Sequence, residues 1–582
     1  MNEKLKTIRT EGQVNRLQAT PNTAEWFAFL GILALFSFWV LRQLGDSSLG
    51  YPDADRILMD GVFFRDFFFD LPLSDPYGYV KHYFAQYPAL SIGYRPPFFP
   101  FVEGIFNSAL GLDMWSSRLA LLSFGLVGLT AFFFTVRRMY GGPSALAAMA
   151  LLATTPFVLR LSWYTMGEVP VLSMALITVF FYYGYLTSGK TSYLILAALA
   201  AVLAAWTKQT AFFLLIWMVL HQLTTGGLLA QLRQRRVWLT ITMVIIGLIP
   251  LVVITLWLGD QNLAQSIGMA PVFGQQAFAA DVLPASLAAR LNPDVLLVHL
   301  KQIYQFHLTW PALALCLVGL GWALWKRDKR AWFWISFIIV VYLVFTYIKG
   351  QNPRYPIFWI PAFLVLASMP LCYLQQRSKR GFQLYAGIVA ATVAWQVFAV
   401  SQIAPKYATG YDEAARFVLE NSESPTVFFD GYNNGYFTYF MRALDPDRSM
   451  YVLRGDKLLS STSIAGRNRL EVHAEDERDI VGILEQYGVQ YVVVEDKNTI
   501  KIPIHGVLRR ILKRNDRFEL VKTIPVDTGS PSTREPLEGI SLLIYEVHDR
   551  GTPKDGILEL HLPVVGQTLR VPLRGLSERS PE

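Results

Sequence analysis

The chain has 582 residues, of which 53% are hydrophobic, 14% aromatic and only 16% charged. This composition is too apolar for an ordinary soluble protein and indicates that most of the chain lies in a lipid bilayer. The formal net charge of +8 does not indicate nucleic-acid binding, because Lys and Arg occur in short clusters between apolar segments and not in one basic stripe. The two cysteines, Cys316 and Cys372, each lie within an apolar segment, which excludes a disulfide framework.

A membrane-spanning helix needs about 20 mostly apolar residues, and about eleven segments of the chain have this character. They cover roughly residues 25–42, 115–136, 143–166, 169–187, 191–207, 211–225, 237–258, 309–325, 331–348, 356–375 and 382–403. The sequence therefore predicts a polytopic α-helical membrane protein with about 11 transmembrane helices.

The basic residues indicate an orientation. Counted from a cytoplasmic tail at residues 1–24, the even-numbered loops hold Arg137–Arg138, Lys190, Arg233–Arg236, Lys326–Arg330 and Arg377–Arg380. Loops rich in Lys and Arg stay on the cytoplasmic side. We therefore expect a multi-pass domain at 25–403 in a cell inner or plasma membrane. Its large outer loops would be residues 43–114 and 259–308, and an extracytoplasmic domain would follow at 404–582.

The first outer loop opens on the motif Tyr51-Pro52-Asp53-Ala54-Asp55-Arg56 and includes Tyr94-Arg95-Pro96-Pro97-Phe98-Phe99 near its far end. Loops of this length are usually functional. Two amphipathic helices, Ile57–Phe69 and Pro100–Leu112, are predicted within it and suit the membrane interface. An acid behind a proline can be aimed at the membrane surface. The other interpretation is an acid that caps the helix that follows.

Three further outer-face positions place ionisable residues at the ends of predicted spans. They are Glu168 before Val169-Pro170, Lys208 after Thr207, and Arg354 with Tyr355. Charges at membrane depth are costly and mostly face a cavity or a partner. The other interpretation is that each long side chain reaches the interface without contacting a substrate.

The order of these motifs resembles that of polyprenyl-phosphate-sugar glycosyltransferases of the GT-C superfamily, specifically the protein O-mannosyltransferase and lipid A aminoarabinose transferase group. The resemblance covers roughly residues 25 to 405. It implies an enzyme that moves a hexosyl or pentosyl group from a polyprenyl-phosphate donor to an acceptor hydroxyl on a protein or an envelope glycan or lipid, with inversion. Many members carry a second acid directly after the first, where this chain has Ala54, so the role of Asp55 stays open.

The resemblance also implies roles for single residues. The catalytic acid of the first outer loop matches Asp53, and Arg95 matches a basic residue that precedes a proline near the lipid phosphate. Glu168, Lys208 and the Arg354-Tyr355 pair match an acid before proline, a Thr-Lys and an Arg-Tyr before an apolar span. This gives Asp53, Asp55 and Glu168 as catalytic candidates. The candidates for substrate binding are Arg56, Arg95, Lys208, Arg354 and Tyr355.

The chemistry of the reaction agrees with these types of residue. An acceptor hydroxyl needs a positioned base, for which a carboxylate such as Asp53 is suitable. The leaving lipid phosphate needs Arg or Lys, so we expect Arg95, Lys208 and Arg354 to converge on one outer cavity. No His or Cys cluster has metal-ligand spacing. We therefore expect no required cofactor, although a divalent metal ion between Asp53, Asp55 and Glu168 stays open.

The expected partners are a lipid-linked sugar donor, a protein or glycan acceptor and membrane lipids, without nucleic acid. Two other classes of protein stay open. A transporter or flippase for a lipid-linked substrate would show related halves, and the sequence has no such internal repeat. A noncatalytic membrane scaffold would use the domain at 404–582 to bind partners, with Asp53 only capping a helix.

The C-terminal region has the composition of a soluble α/β domain. Helices are predicted at Asp412–Leu419 and Arg478–Tyr487. Strands are predicted at Thr426–Phe429, Val489–Val494, Phe518–Ile524, Ser541–Val547, Ile557–Leu562 and Thr568–Leu573. The segment Asp430–Gly435 is interpreted as a turn because it lacks a phosphate-binding fingerprint.

Overall fold

The computed structural model describes residues 21–42, 54–92, 95–267, 293–347, 352–405, 407–463, 468–527, 539–548, 550, 556–562 and 567–573. The chain forms two compact units. The helical unit comprises Met1–Gln43, Ala120–Thr255 and Asn262–Ile403, and the mixed unit comprises Leu44–Leu119, Leu256–Gln261 and Ala404–Glu582. The first outer loop thus belongs to the same unit as the C-terminal region.

Helices account for the described structure as far as Ser401. In chain order they are α1 (Thr23–Leu41), α2 (Ala54–Asp70), α3 (Pro76–Gln86), α4 (Phe98–Leu110), α5 (Met114–Tyr140), α6 (Gly142–Ala153), α7 (Pro156–Ser162), α8 (Glu168–Ser188), α9 (Thr191–Thr207), α10 (Phe213–Thr224), α11 (Leu228–Leu232), α12 (Arg235–Ile267), α13 (Pro293–Gln302), α14 (Trp310–Lys326), α15 (Ala331–Tyr347), α16 (Trp359–Ser368), α17 (Pro370–Arg377) and α18 (Lys379–Ser401). Short 3₁₀ turns at Gln209–Phe212 and Tyr355–Phe358 precede α10 and α16.

All eleven predicted spans fall on apolar helices. Among the described residues, six helical segments are long and apolar enough to cross a membrane: α1, α5, α8, Arg235–Ile254 of α12, Tyr355–Arg377 with α16 and α17, and α18. The pair α6 and α7, bent by 57°, makes a seventh. The other four predicted spans correspond to α9, α10, α14 and α15, which are shorter. Helices α9, α14 and α15 have 17 residues each, which is the lower end of the usual length of a membrane-spanning helix, about 17 to 25 residues.

Local sequence explains the break and the close packing in the helical unit. Thr155 precedes Pro156 and has extended backbone angles (φ −60°, ψ 118°), because a proline disfavours the helical conformation of the residue before it. Helices α14 and α16 approach so closely that a Cβ added at Gly319 would overlap the carbonyl oxygen of Leu366. Small residues at such contacts allow apolar helices to pack in a bilayer.

The C-terminal part of the mixed unit alternates helices and strands. Its helices are α19 (Tyr411–Asn421), α20 (Asn434–Leu444), α21 (Gly455–Leu458), α22 (Glu477–Gln486) and α23 (Pro503–Arg514). Its strands are β1 (Thr426–Asp430), β2 (Tyr451–Arg454), β3 (Ser460–Ser463), β4 (Asn468–Val472), β5 (Tyr491–Glu495), β6 (Phe518–Pro525), β7 (Ser541–Val547), β8 (Ile557–Leu562) and β9 (Gln567–Pro572). A five-stranded sheet has the order β2-β1-β5-β7-β6, parallel between β2, β1 and β5 and antiparallel at β7 and β6.

The first-loop helices complete one face of this sheet. Because successive side chains of a strand point to opposite faces, Val427 and Phe429 of β1 belong to one core and Phe428 to another. The core of Val427 and Phe429 also contains Leu58 and Val62 of α2, together with residues of α3, α19 and α20. The core of Phe428 is built with α22 and α23. Part of the apolar core of the α/β region therefore comes from a segment more than 300 residues earlier in the chain.

The predicted fold class, a polytopic helical membrane protein with a small C-terminal α/β region, is confirmed. The predicted C-terminal helices and strands are all present, and the amphipathic helices of the first loop correspond to α2 and α4. Helix α20 begins where the sequence indicated only a turn, and α3 and α23 were not predicted.

The acids of α2 also differ from the expectation for an interfacial helix. Asp55, Asp60 and Asp66 are at most 3% exposed, because they contact groups within the mixed unit.

Candidate active site

Three charged residues that are distant in sequence meet in the helical unit. Lys208 Nζ lies 2.7 Å from Glu168 Oε1, and Arg354 Nη1 lies 3.4 Å from the same oxygen. The Glu168 side chain is 2% exposed, whereas those of Lys208 and Arg354 are 24% and 15% exposed. We call these three side chains the helical ion cluster. The structure thus brings Lys208 and Arg354 together at Glu168, and their convergence on an outer cavity stays a prediction.

Each residue of the helical ion cluster occupies the end of a helical segment. Glu168 is the first residue of α8, where the helix dipole favours a negative charge. Lys208 caps the C-terminus of α9, where a positive charge is favoured. Arg354 directly precedes the 3₁₀ turn Tyr355–Phe358. Helix ends leave backbone groups unpaired within the helix and the chain free to turn, so the three side chains can approach from different directions.

The segment that carries Arg354 is held by a residue that sequence reasoning did not identify. His307 Nε2 lies 2.7 Å from the carbonyl oxygen of Pro353, and Trp359 Nε1 donates to His307 Nδ1 at 3.0 Å. With one ring nitrogen accepting, the other carries the proton and donates to Pro353. His307 is fully buried. No local sequence signal distinguishes this histidine from one that only packs in a core.

The helical ion cluster is suited to an anion. Both cations are partly exposed, whereas the carboxylate that they contact is buried. Tyr355 lies beside the cluster, with its ring centroid 5.8 Å from Lys208 Nζ. Arg and Lys bind phosphate oxygens by charge-assisted hydrogen bonds. A phosphate that approaches from outside would therefore meet the two cations.

Glu168 has a geometry that limits its role in catalysis. Its Oε1 atom accepts a hydrogen bond from the ammonium of Lys208 and lies within ion-pair distance of Arg354. An adjacent opposite charge favours the ionised form of an acid but also makes it a weaker base. The arrangement is therefore better suited to orienting the two cations than to removing a proton from an acceptor.

The candidates of the first outer loop lie in the mixed unit, and Asp53 lies outside the described residues. Asp55 is 3% exposed in the first turn of α2 and lies against Gly435 of α20. Arg56 donates through Nη2 to Asn434 Oδ1 at 2.5 Å and through Nη1 to the carbonyl oxygen of Pro88 at 3.3 Å. Burial, reinforced by the nearby charge of Arg454, lowers the pKa of Arg56 to about 10.

Arg95 belongs to the same unit and lies near a buried acid. Asp60 accepts hydrogen bonds from Ser91, from its N–H at 2.8 Å and from its hydroxyl. Burial raises the pKa of Asp60 to about 7, although these bonds and the charge of Arg95 act in the opposite direction. The predicted convergence of Arg95 with Lys208 and Arg354 stays a prediction.

Metal binding was left open by the sequence. Among the described residues, no group of three or more His, Cys, Asp or Glu side chains is arranged to hold a metal ion. Glu168, one of the three acids considered, already faces two cations, which oppose the approach of another positive charge. Asp53, another of these acids, lies outside the described residues.

Comparison with known proteins gives one family and several structures. Residues 94–254 match the family described as dolichyl-phosphate-mannose-protein mannosyltransferase. No curated protein gives a significant match. The crystal structure of ArnT from Cupriavidus metallidurans in the apo state is similar with a TM-score of 0.57 and 14% identity, over 90% of this chain and 99% of that chain.

Two further structures agree with this. The same ArnT bound to undecaprenyl phosphate gives a TM-score of 0.55 at 14% identity, over 92% of this chain and all of that chain. The arabinofuranosyltransferase AftD from Mycobacteria gives 0.52 at 13% identity, over 93% of this chain and 41% of that chain. At such identities the similarity establishes the fold. The chain is therefore a multi-pass membrane protein with the GT-C fold that it shares with ArnT and AftD.

Proposed function

We propose that this protein is a membrane glycosyltransferase that moves a sugar from a polyprenyl-phosphate donor to an acceptor hydroxyl. The observation that carries the proposal is the helical ion cluster, because the partly exposed cations Lys208 and Arg354 meet at one buried carboxylate within a fold shared with an ArnT structure that holds undecaprenyl phosphate. A lipid phosphate is an anion at the membrane surface, and it matches a pair of partly exposed cations at the ends of apolar helices.

In this proposal Lys208 and Arg354 stabilise the charge that develops on the leaving lipid phosphate. Fixed cations act most strongly where charge appears in the transition state. Glu168 orients both cations, and Tyr355 borders them. Arg95 is proposed as a further contact of the phosphate on the resemblance alone.

We assign the general base to Asp53, on the resemblance of its motif to the first outer loop of the family. A carboxylate would accept the proton of the acceptor hydroxyl as the oxygen attacks the anomeric carbon and the bond to the lipid phosphate breaks. Asp55 and Arg56 would support this loop, because both contact α20 in the mixed unit. A single displacement of this kind gives inversion and needs no resident cofactor.

The acceptor is proposed to be a protein Ser or Thr, or a glycan or lipid of the cell envelope, and the sugar a hexose or a pentose. The outward orientation is also a proposal, supported by the distribution of Lys and Arg among the loops. Reporter fusions after Lys329 and after Asp412 should report opposite sides of the membrane. The same side for both would refute the topology.

The proposal is tested with the purified protein in liposomes that contain undecaprenyl-phosphate sugars together with acceptors of each proposed class, a peptide rich in Ser and Thr and an extract of envelope glycans and lipids. Release of undecaprenyl phosphate is the readout. We expect release with at least one sugar, with or without EDTA. Asp53→Asn should lower turnover by about 10²-fold or more, the usual scale for a lost acid-base group, and should retain the donor affinity. Asn is nearly isosteric and can still cap a helix, so a capping role predicts almost no loss.

The alternatives give different results in the same preparation. A flippase would move the undecaprenyl-phosphate sugar between leaflets without releasing undecaprenyl phosphate. A scaffold would neither move the lipid nor release undecaprenyl phosphate. Transfer by Asp53→Asn at the wild-type rate would remove Asp53 as the base. Loss of transfer in EDTA that Mg²⁺ or Mn²⁺ restores would show that a metal ion takes part.

A further inference from the structure

We infer that helix α20 of the C-terminal region is a positioning element for the catalytic loop, because it holds helix α2 at both ends. The inference rests on the proposed function and assigns the C-terminal region a task within the reaction. Asp53 is covalently joined to the first residue of α2, so a shift of this helix would move the proposed base.

The first contact joins the N-terminal turns of the two helices. Asp55 lies so close to Gly435 that a Cβ added there would overlap its carboxylate. The N-terminal end of a helix favours a negative charge. Next to it, Arg56 Nη2 donates to Asn434 Oδ1 at 2.5 Å. Two consecutive residues of α2 therefore contact the first two residues of α20.

The second contact lies near the other end of both helices. Arg442 Nε and Nη2 donate to Asp66 Oδ2 and Oδ1 at 2.8 and 2.6 Å, and Tyr83 donates to Oδ2 at 2.7 Å. The side chains of Arg442 and Asp66 are 1% and 2% exposed. The contacts are about two helical turns apart on α20 and about three on α2. Two separated points of attachment fix the direction of α2 as well as its position.

The surrounding segments are attached in the same way. Arg448 makes a two-point ion pair with Asp70, the last residue of α2. Gln86 at the end of α3 donates to the carbonyl oxygens of Arg448 and Met450 at 2.6 and 3.2 Å. Arg454 donates to the carbonyl oxygen of Pro88, which Arg56 also contacts. These bonds run between the loop and the C-terminal region.

The type of contact indicates positioning more than stability. A buried ion pair adds little net stability over apolar residues of similar size, because both charges must leave water. Its two-point geometry, however, tolerates only one relative arrangement of its partners. The bare Cα of Gly435 has the same consequence, because it lets the carboxylate of Asp55 approach the backbone of α20.

Gly435→Ala tests this most directly. Alanine favours the helix itself, but its methyl group must displace Asp55. We expect a loss of about 10- to 100-fold in kcat, the scale of a small misplacement at a reacting centre, with the donor KM within about threefold of wild type. The melting temperature should fall only modestly, because alanine favours the helix while its methyl group strains one buried contact.

The matched control is Gly482→Ala on α22, where an added Cβ meets open space. It makes the same change in the same unit and should keep the wild-type kcat. Asp55→Ala provides the rescue test, because a shorter side chain makes room for the methyl group. If overlap with Asp55 causes the loss, Asp55→Ala and the double variant Asp55→Ala/Gly435→Ala should have equal rates.

A second readout separates this inference from the proposed function. Hydrogen exchange of the amides of α2 should be faster in Gly435→Ala than in the wild type and in Gly482→Ala. If the wild type transfers no sugar from any donor, the proposed function fails. Hydrogen exchange of α2 then tests by itself whether α20 holds this helix in place. Unchanged exchange, or a wild-type kcat in Gly435→Ala, would overturn the inference.

Should Gly435→Ala not fold, Arg442→Lys replaces it with the same readouts, because lysine cannot make the two-point contact with Asp66.

Discussion

Each unit contains a cluster of acid and base groups, and the two clusters differ in what they can do. In the mixed unit, Asp430 Oδ1 lies 2.6 Å from His505 Nδ1, and Ser460 Oγ lies 2.8 Å from His505 Nε2. This order of carboxylate, imidazole and hydroxyl is the one that activates a serine nucleophile in hydrolases. The helical ion cluster is arranged differently: Lys208 and Arg354 both contact the same carboxylate oxygen of Glu168.

Exposure and charge separate the two clusters. Ser460, His505 and Asp430 have no exposed surface, so no substrate can reach the hydroxyl. Arg509 lies 2.5 Å from Asp430 Oδ2 and donates to the carbonyl oxygen of Asp430 at 3.0 Å, which balances the carboxylate. We call these four residues the Asp430 cluster. Exposure, more than the types of residue, therefore distinguishes a candidate binding site from a buried structural network.

The largest effect on stability is expected from Arg509→Met in the Asp430 cluster. The substitution leaves the buried carboxylate of Asp430 without its cation, which costs about 3 to 5 kcal/mol. The melting temperature in detergent should fall strongly, while the folded fraction should keep its rate of sugar transfer. Lys513→Met on the same helix α23 is the control. A large loss of kcat in folded Arg509→Met would mean that the Asp430 cluster serves the reaction.

Lys208→Gln and Arg354→Gln should each lower sugar transfer by about 10²- to 10³-fold, the scale for removing one donor to a developing negative charge. Both variants should also bind undecaprenyl phosphate less tightly. Lys190→Gln, at an exposed position, is the control for a lost positive charge. Wild-type transfer and lipid affinity in both variants would show that the helical ion cluster is a structural network, like the Asp430 cluster.

Asp60 is a third kind of buried acid, because its hydrogen bonds come from Ser91 and not from a cation. With its pKa raised from 3.8 to about 7, the folded protein holds a proton between about pH 4 and pH 7 that the unfolded chain has lost. The free energy of unfolding therefore falls as the pH rises through this window and then levels off.

Asp60→Asn removes this titration. The melting temperature of the variant should fall less between pH 5 and pH 8 than that of the wild type. The difference should be several degrees, since about 1 kcal/mol corresponds to about 2 to 4 °C for a unit of this size. Asp447→Asn, at an exposed position, should retain the wild-type dependence. Parallel curves for wild type and Asp60→Asn would contradict the raised pKa.

The smallest effect is expected from Ser460→Ala. It removes the hydroxyl that bonds to His505 Nε2 and leaves that nitrogen unpaired, at a cost of about 1 to 3 kcal/mol in stability. Sugar transfer should be unaffected, and so should any hydrolysis of an activated ester by the purified protein. An ester hydrolysis that disappears in Ser460→Ala would show that the cluster opens to solvent and acts as a nucleophilic site.

The elements that could be predicted from the sequence are those with a local pattern. Apolar runs of about 20 residues indicated the spans because a bilayer requires a helix of that length. Short apolar runs rich in β-branched and aromatic residues indicated strands such as β5 and β7, since such side chains pack well on a pleated sheet. Positions at span ends indicated Glu168, Lys208 and Arg354, because charges at membrane depth are costly unless they serve a purpose.

Which of these elements contact each other could not be predicted, because the contacts join residues far apart in the chain. The pairing of Glu168 with Lys208 and Arg354 joins three separate loops, and the hold of α20 on α2 joins residues 55 and 435. Neither leaves a periodic signal in the chain. The same holds for His307, whose importance comes from its bond to Pro353. Buried acids such as Asp60 and Asp66 looked like the polar face of an amphipathic helix, because sequence periodicity shows that a helix has two faces but not what covers each of them.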